Sequence, residues 1–276
     1  MHKILFSILL LLQIHTISAQ ENGIKKEKGT FYLAWGYNRD WYSKSDIHFK
    51  NTSGAFNPET GNYDNYDFTI YNATASDRPD FDAVIHPKFS NLTIPQFNAR
   101  MGYFFKGDRG WGIEINYDHA KYVMNDNQTL RVKGQIFGRE IDKDTLISSK
   151  DFLHFEHTDG ANFLLLNVMK RYSIFASKNG KFNIDFINKA GIGIVIPRTD
   201  VTLFGQRLNN NWHVAGWVTG IETGVRIDFF KHFFTEFTGK GVFADYKRVL
   251  VIGDGKASHQ FFAAELIFNL GYQFKL

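Results

Sequence analysis

The feature that most constrains this chain is a hydrophobic alternation of period two, sustained far longer than an ordinary strand. Near its end, Phe262, Ala264, Leu266, Phe268, Leu270, Tyr272 and Phe274 form an unbroken apolar series. Between them stand Ala263, Glu265, Ile267, Asn269, Gly271 and Gln273, which are mixed, polar or small. Successive strand side chains point to opposite faces, so one face of this segment meets an apolar environment and the other does not. The pattern recurs. Phe97, Ala99, Met101, Tyr103 and Phe105 oppose Asn98, Arg100 and Gly102, and Trp111, Ile113, Ile115 and Tyr117 oppose Gly112, Glu114, Asn116 and Asp118. A fourth run, Ala215 to Ile227, opposes Gly216, Gly220, Glu222, Gly224, Arg226 and Asp228.

These runs predict eight strands, at 30–42, 95–106, 110–123, 160–175, 181–196, 212–230, 232–247 and 258–275. Their connections alternate in length. Residues 106–110, 177–180 and 230–232 are tight turns, whereas 43–94, 124–159, 197–211 and 248–257 are long. Short turns at one end and long loops at the other belong to a barrel that crosses an outer membrane. The expected fold is all-β: a transmembrane up-and-down antiparallel β-barrel of eight strands with long extracellular loops. Aromatics support it, since Phe31, Tyr32, Tyr103, Phe105, Trp111, Phe175, Phe182, Phe229, Phe230, Phe233, Tyr272 and Phe274 gather at the short-turn ends. Such a ring is the girdle expected at headgroup level. A looser set, Trp41, Tyr42, Tyr122, Trp212 and Tyr246, falls near the opposite ends. A soluble barrel or sandwich also alternates, but it accounts for neither the one-sided loops nor strands of this length.

The first residues read as an address. Met1-His2-Lys3 is followed by a nine-residue apolar run, Ile4 to Leu12, and by small residues at Ser18 and Ala19. This is the three-part pattern of a cleaved secretory signal peptide, giving an expected leader at 1–19 and a single barrel domain at 20–276. The absence of cysteine excludes disulfide staples, thiolate zinc sites, a thiol nucleophile and a lipoprotein anchor. The net charge of +4 comes without a dense Lys/Arg patch, so no nucleic-acid partner is expected.

An exported, cysteine-free chain that ends in AAELIFNLGYQFKL resembles the small, eight-stranded outer-membrane β-barrel proteins of Gram-negative bacteria, in particular uncharacterised ones of Bacteroidota type. The resemblance implies an integral position in the cell outer membrane, insertion by the barrel-assembly machinery and contact with outer-membrane lipid or lipopolysaccharide. It implies no cofactor and no metal. The assembly signal of that class closes on a terminal aromatic, whereas here Lys275 and Leu276 follow Phe274.

Eight strands enclose an interior that side chains can fill. Strand parity turns Arg100, Lys189, Arg226 and Lys240 inward, together with Glu114, Asp118, Glu222, Glu236 and Glu265. Buried charges of opposite sign pair, because an unpaired one is costly, so a salt-bridged plug is expected. A gated ion path, or Glu114 and Glu265 acting as an acid–base pair, are the alternatives.

At the outer rim the sequence places His119, His154, His157, His213 and His259, with Ser258, Glu156, Asp159 and Asp254 nearby. Ser258, His259, His157 and Asp254 are the candidates for an acyl-ester site, which needs a nucleophile, a base and an orienting acid. The rim thereby resembles outer-membrane lipid A deacylases, in which His and Ser stand two apart and share a face. Ser258 and His259 are adjacent and point to opposite faces. In His154-Phe155-Glu156-His157, His154 and Glu156 share a face and His157 does not, so no metal site is fixed. Asp144-Thr145-Leu146 matches a short O-glycosylation motif of Bacteroidota.

Loops as long as 43–94 and 124–159 are usually functional. Within them, 46–50, 67–71 and 130–137 read as strands that extend the barrel wall. The expected role is structural or surface-binding, toward a lipid, glycan or extracellular protein ligand held by loops 43–94 and 124–159. A lipid A-modifying acyl-ester hydrolase at the extracellular rim is the alternative, and a narrow pore the third.

Overall fold

A computed structural model describes residues 29–57, 61–63, 65–80, 95–107, 110–209 and 211–276; the expected leader, 1–19, lies outside the described residues. Every regular element among those residues is a strand. The first group is β1 (Thr30–Tyr42), β2 (Ser45–Asn51), β3 (Phe56–Asn57), β4 (Asn62–Tyr63), β5 (Tyr66–Ala73) and β6 (Ala75–Asp77). Then follow β7 (Phe97–Phe104), β8 (Trp111–Asp118), β9 (Tyr122–Met124), β10 (Thr129–Ile136), β11 (Arg139–Leu146) and β12 (Leu153–His157). The last group is β13 (Phe163–Ala176), β14 (Phe182–Val195), β15 (Asp200–Leu203), β16 (Gln206–Asn209), β17 (Gly216–Phe229), β18 (Phe233–Leu250) and β19 (Lys256–Lys275).

Eight of these close into an antiparallel ring in the order β1-β7-β8-β13-β14-β17-β18-β19, and β1 pairs back onto β19. Closure leaves no unpaired edge where lipid replaces water. The outer face is apolar: Leu33, Trp35, Met101, Ile113, Leu166, Ile192, Ile221, Phe237 and Leu270 are all exposed. On β19 the belt runs from Tyr272 to Phe262. Ten steps of ~3.3 Å each, tilted by ~35–45°, span about the 25 Å of an outer-membrane apolar band. A continuous belt of this size would not persist in water, so the fold is a transmembrane up-and-down barrel.

The girdle differs from the expected one at Tyr32. It is fully buried and points inward, because its neighbour Phe31 takes the outer face and adjacent strand residues cannot share one. Tyr122 and Tyr246, expected near the outer rim, are likewise fully buried.

The described parts of the two longest connections, 43–94 and 124–159, are built mainly of strands that form walls. After Tyr42 pairs with Ala263, the chain bulges at Ser43 and Lys44, and β2 resumes on the same neighbour with Ile47 opposite His259. β5, β10 and β11 then add in turn to β2. On the other side β9, β12 and β15 continue β8, β13 and β14 after one break each, in a sheet of order β16-β15-β12-β9-β6. β5 and β6, separated only by Thr74, form a bent strand that serves both sheets, as at the corners of orthogonal packings. Between the sheets lies an apolar core that includes Phe49, Phe68, Tyr122, Phe155, Tyr246 and Phe261. Rings meet there at 5.3 Å (Phe49–Phe68), 5.6 Å (Phe49–Phe155) and 5.0 Å (Tyr122–Phe261).

One side chain ties the three breaks together. Gly160 and Asn162 have positive φ, +124° and 26°, which turns the chain from β12 into β13. The Asn162 Oδ1 accepts hydrogen bonds from Tyr117 Oη at 2.8 Å and from His119 Nδ1 at 2.8 Å. Its Nδ2 donates to the Ile196 carbonyl at 2.8 Å. Asn162→Ala leaves these buried partners unpaired, and a loss of about 3 kcal/mol is expected. The loss is measured as a shift in urea midpoint for protein folded in lipid vesicles, with proteolysis beginning in the extracellular sheets.

Candidate functional site

The barrel interior is a stack of three layers. Lowest, near the short turns, Tyr32, Phe104, Phe234, Met169 and Ile187 pack together. The Arg226 guanidinium lies over Phe234, 3.4 Å from the ring centroid. It donates to Asp228 at 3.0 Å, Glu236 at 2.9 Å and Gln273 at 2.9 Å, so this fully buried cation engages three acceptors.

The middle layer carries the charges. Lys189 Nζ meets Glu114 and Glu236 at 2.9 Å each and Glu222 at 3.2 Å. Glu114 also accepts from Tyr32 Oη at 2.5 Å and Asn167 Nδ2 at 3.1 Å. Arg100 pairs with Asp118 at 2.5 Å and approaches Glu222 at 3.6 Å. Lys240 donates to Asp118 and to Asn116, and lies 3.8 Å from Glu265. All nine residues that parity turned inward therefore sit inside and in one connected network. Glu114 and Glu265 are not brought together, because Glu114 is held by Lys189 and Tyr32 while Glu265 faces Lys240.

Further carboxylates join the interior, among them Asp185 on β14, 3.7 Å from Arg171. Asp228 shares the inner face of β17 with Arg226, and its parity was readable. Asp40 is buried on β1, where it accepts from Asn38 Nδ2 at 3.0 Å and Tyr42 Oη at 3.1 Å. Aromatics on both faces of β1, Phe31 and Tyr32 foremost, hid the inward side there. Above the charges, Phe163, Leu165, Val195, Val218, Val242 and Ala263 form the apolar base of the extracellular core. An ion would have to cross that apolar layer after passing the paired charges.

The rim candidates separate. His157 and His259 do meet, Nε2 to Nε2 at 3.2 Å, and His157 Nδ1 lies 3.0 Å from Thr199 Oγ1. Both are above the lipid belt and buried, 0% and 3% exposed. Tyr246 stacks on His157 at 5.2 Å, and Tyr122 meets His259 edge-on at the same distance. Burial pushes the His259 imidazole down to about 3. Burial, with the neighbouring His259, holds His157 well below the usual range. The pair is neutral and belongs to the core. Ser258 points to the outer face of the sheet, and Asp254 is exposed in the turn between β18 and β19. The four candidates thus do not form a nucleophile–base–acid set, because strand parity sends Ser258 away from His259.

His154 behaves differently from its neighbour His157. It contacts Asp126 at 2.9 Å and Glu156 at 3.2 Å, and Arg78 reaches Glu156 at 3.2 Å. The hydrogen bond to Glu156, then the one to Asp126, raise its pKa to about 9. Among the described residues no group of three or more His, Asp or Glu side chains is arranged to hold a metal ion.

The sequence matches no protein-family model and no curated protein. Among solved structures the chain is similar to the outer membrane protein OprG from Pseudomonas aeruginosa. The identity is 12%, over 91% of this chain and 98% of that one, with a TM-score of 0.40. It is also similar to the outer membrane protease OmpT from Escherichia coli, at 8% identity over 93% and 100% of the two chains with a TM-score of 0.37. A third is Neisserial surface protein A, at 10% identity over 88% and 97%, with a TM-score of 0.35. These are outer-membrane β-barrel proteins of differing roles.

Two measurements follow from this geometry. Arg226→Met strands the buried Glu236 and Asp228 carboxylates, and breaking such a pair from one side costs about 3–5 kcal/mol, visible in urea unfolding from vesicles. The second concerns pH. A histidine held at about 3 when folded and near 6.5 when unfolded lowers stability as pH falls below ~6.5. His154, raised to about 9, acts in the opposite sense: its contribution is full below ~6.5 and is lost as pH rises through about 9. His259→Phe isolates the first effect. Moving from pH 7.5 to pH 5 should cost this variant about 2 kcal/mol less than the wild type.

Proposed function

We propose that this chain is an outer-membrane surface-binding protein whose barrel is a closed anchor and whose extracellular sheets are the working part. The observation that carries this reading is the single apolar core that joins both sheets above the lipid belt. Segments that would otherwise be mobile loops become rigid walls, and ordered walls lose little entropy on binding. The outermost of them, the β10–β11 hairpin, is polar. Arg131 makes a two-point contact with Asp142 at 2.8 and 3.1 Å, and Lys133 lies 3.5 Å from the same carboxylate. Charges on β11 protect an edge strand from self-association and leave a face suited to a polar partner, a glycan or a protein. The lipid belt, with lipopolysaccharide packed around it, and insertion by the assembly machinery fit the same reading. So does export behind a cleaved leader. The Bacteroidota type rests on the C-terminal segment 263–276.

The closed interior argues against a pore. Protein reconstituted in planar bilayers should give no stepwise conductance. Excising the β10–β11 hairpin, 129–146, with a short turn in its place, should abolish adhesion of expressing cells to host glycans or protein matrices. The barrel should keep its heat-modifiable migration in gels. Conductance steps, or adhesion that survives excision, would count against the reading.

A further inference from the structure

The outer face of the extracellular sheet brings together three side chains that are distant in the sequence. Ser258 on β19 stands directly opposite His48 on β2. β5, the other neighbour of β2, supplies Asp67, whose Oδ1 lies 2.6 Å from His48 Nε2. Ser258 and His48, directly paired on one face, hold their Cβ atoms about 5 Å apart, and Asp67, paired with Lys50, reaches His48 diagonally, so the three side chains span three strands. Lys50 Nζ holds the other Asp67 oxygen at 2.8 Å. That hydrogen bond first, and the one from His48 second, keep the Asp67 carboxyl below its usual range. The His48 and Asp67 side chains are 40% and 37% exposed, which leaves them open to a ligand.

These side chains open onto a cavity. Beside the bulge at Ser43 and Lys44 lies a recess of about 700 Å³ whose walls include Lys44, Asp46, His48, Asp245, Lys247, Ser258 and Gln260. That volume is in the range of small-molecule sites. Its height is fixed by β19, on which Ser258, Gln260 and Phe262 share the outer face. Phe262 lies four positions beyond Ser258, about 13 Å of strand. Phe262 joins Phe243 and Trp217 at the top of the lipid belt, with centroids 5.0 and 5.5 Å apart. The recess therefore stands above the lipid belt, and its walls carry Lys44 and Lys247 beside Asp46 and Asp245, with Lys247 3.4 Å from Asp245.

We propose that Ser258, His48 and Asp67 are a nucleophile, base and orienting acid that hydrolyse carboxylic esters entering the recess. Asp67 on Nε2 fixes the tautomer that leaves Nδ1 as proton acceptor. Ser258 Oγ attacks the ester carbonyl while Nδ1 takes its proton. The bond to the alcohol breaks, and that oxygen leaves with the proton from His48. Water then attacks the acyl-serine by the same proton route, releasing the carboxylic acid and restoring Ser258. Gln260, two residues away on the same face, is the side-chain donor for the oxyanion. This inference adds a reaction to the surface role and does not depend on what the β10–β11 hairpin binds.

The test uses the full barrel in lipid vesicles, with a fluorophosphonate and p-nitrophenyl acyl esters as probes. Peptide mass spectrometry should locate the phosphonate adduct on Ser258, and Ser258→Ala should abolish both labelling and ester cleavage. His48→Gln should slow cleavage by about 10⁴-fold, and Asp67→Asn by at least tenfold. Heat-modifiable migration verifies that each variant is folded. An unlabelled Ser258 in folded wild-type protein overturns the proposal. So does cleavage that survives Ser258→Ala, or that is lost with His259→Phe but kept with His48→Gln.

Discussion

All 13 residues of β1, from Thr30 to Tyr42, pair with β19 from Lys275 back to Ala263, and the remaining structure depends on that closure. In hydrocarbon each unpaired backbone group costs several kcal/mol, so the ring must close with no edge. Closing on eight strands sets the radius, and the radius leaves an interior that side chains must fill. β19 is long enough to do a second job. Its last turn-proximal residues seal the barrel, and its first residues, Lys256 to His259, pair with β2 and start the extracellular sheet. One strand thereby fixes both the membrane anchor and the height of what it carries.

The narrow interior explains why its charges are shared so widely. Lys189 meets three carboxylates, Arg226 three acceptors, and Glu114 a lysine, a tyrosine and an asparagine. Such networks are weak evidence for net stability, since apolar replacements of equal volume often do as well. They act instead on register. A strand that slipped by one residue would turn Arg226 or Glu236 into lipid and an aliphatic side chain into the network. Glycines admit the close approaches this requires. At Gly102 an added Cβ would meet the Tyr32 ring at 2.4 Å, and at Gly271 it would meet Phe234 at 2.1 Å.

Much of this was legible from parity alone. The apolar series 262–274 marks the lipid face, and the intervening polar residues mark the interior with their ion-pairing groups. Parity failed where both faces carry the same kind of residue. Phe31 and Tyr32 are indistinguishable by type, so Tyr32 reads as girdle although it binds Glu114 inside. The extracellular strands were legible as strands at 46–50, 67–71 and 130–137, but not as parts of two packed sheets. Which strand pairs with which is a non-local fact, and no local pattern encodes that β9, β12 and β15 prolong barrel strands past a break. The rim chemistry shows the same divide. Sequence adjacency shows that Ser258 and His259 diverge, yet it cannot show that His48 comes to face Ser258.

What brings His48 there is a single inserted residue. Trp41 stands opposite Ala264, and His48 stands opposite Ser258. Between those pairs the β1–β2 side advances seven residues while β19 advances six, so one extra residue sits at the Ser43–Lys44 bulge. Ser43 anchors it at both ends: its N–H donates to the Phe262 carbonyl at 2.8 Å, and its Oγ accepts from the Phe262 N–H at 3.0 Å. The insertion exchanges inside for outside along β2. In β1 the odd-numbered residues face out, whereas in β2 Ile47 and Phe49 turn into the core and Asp46, His48 and Lys50 face out. Without the bulge, two large apolar side chains would lie on the surface and His48 would be buried. Bulges re-aim side chains and recur beside active sites. Here the same residue that opens the recess also sets the outer face of β2, so the apolar core above the barrel and the Ser258–His48–Asp67 group have a common structural origin.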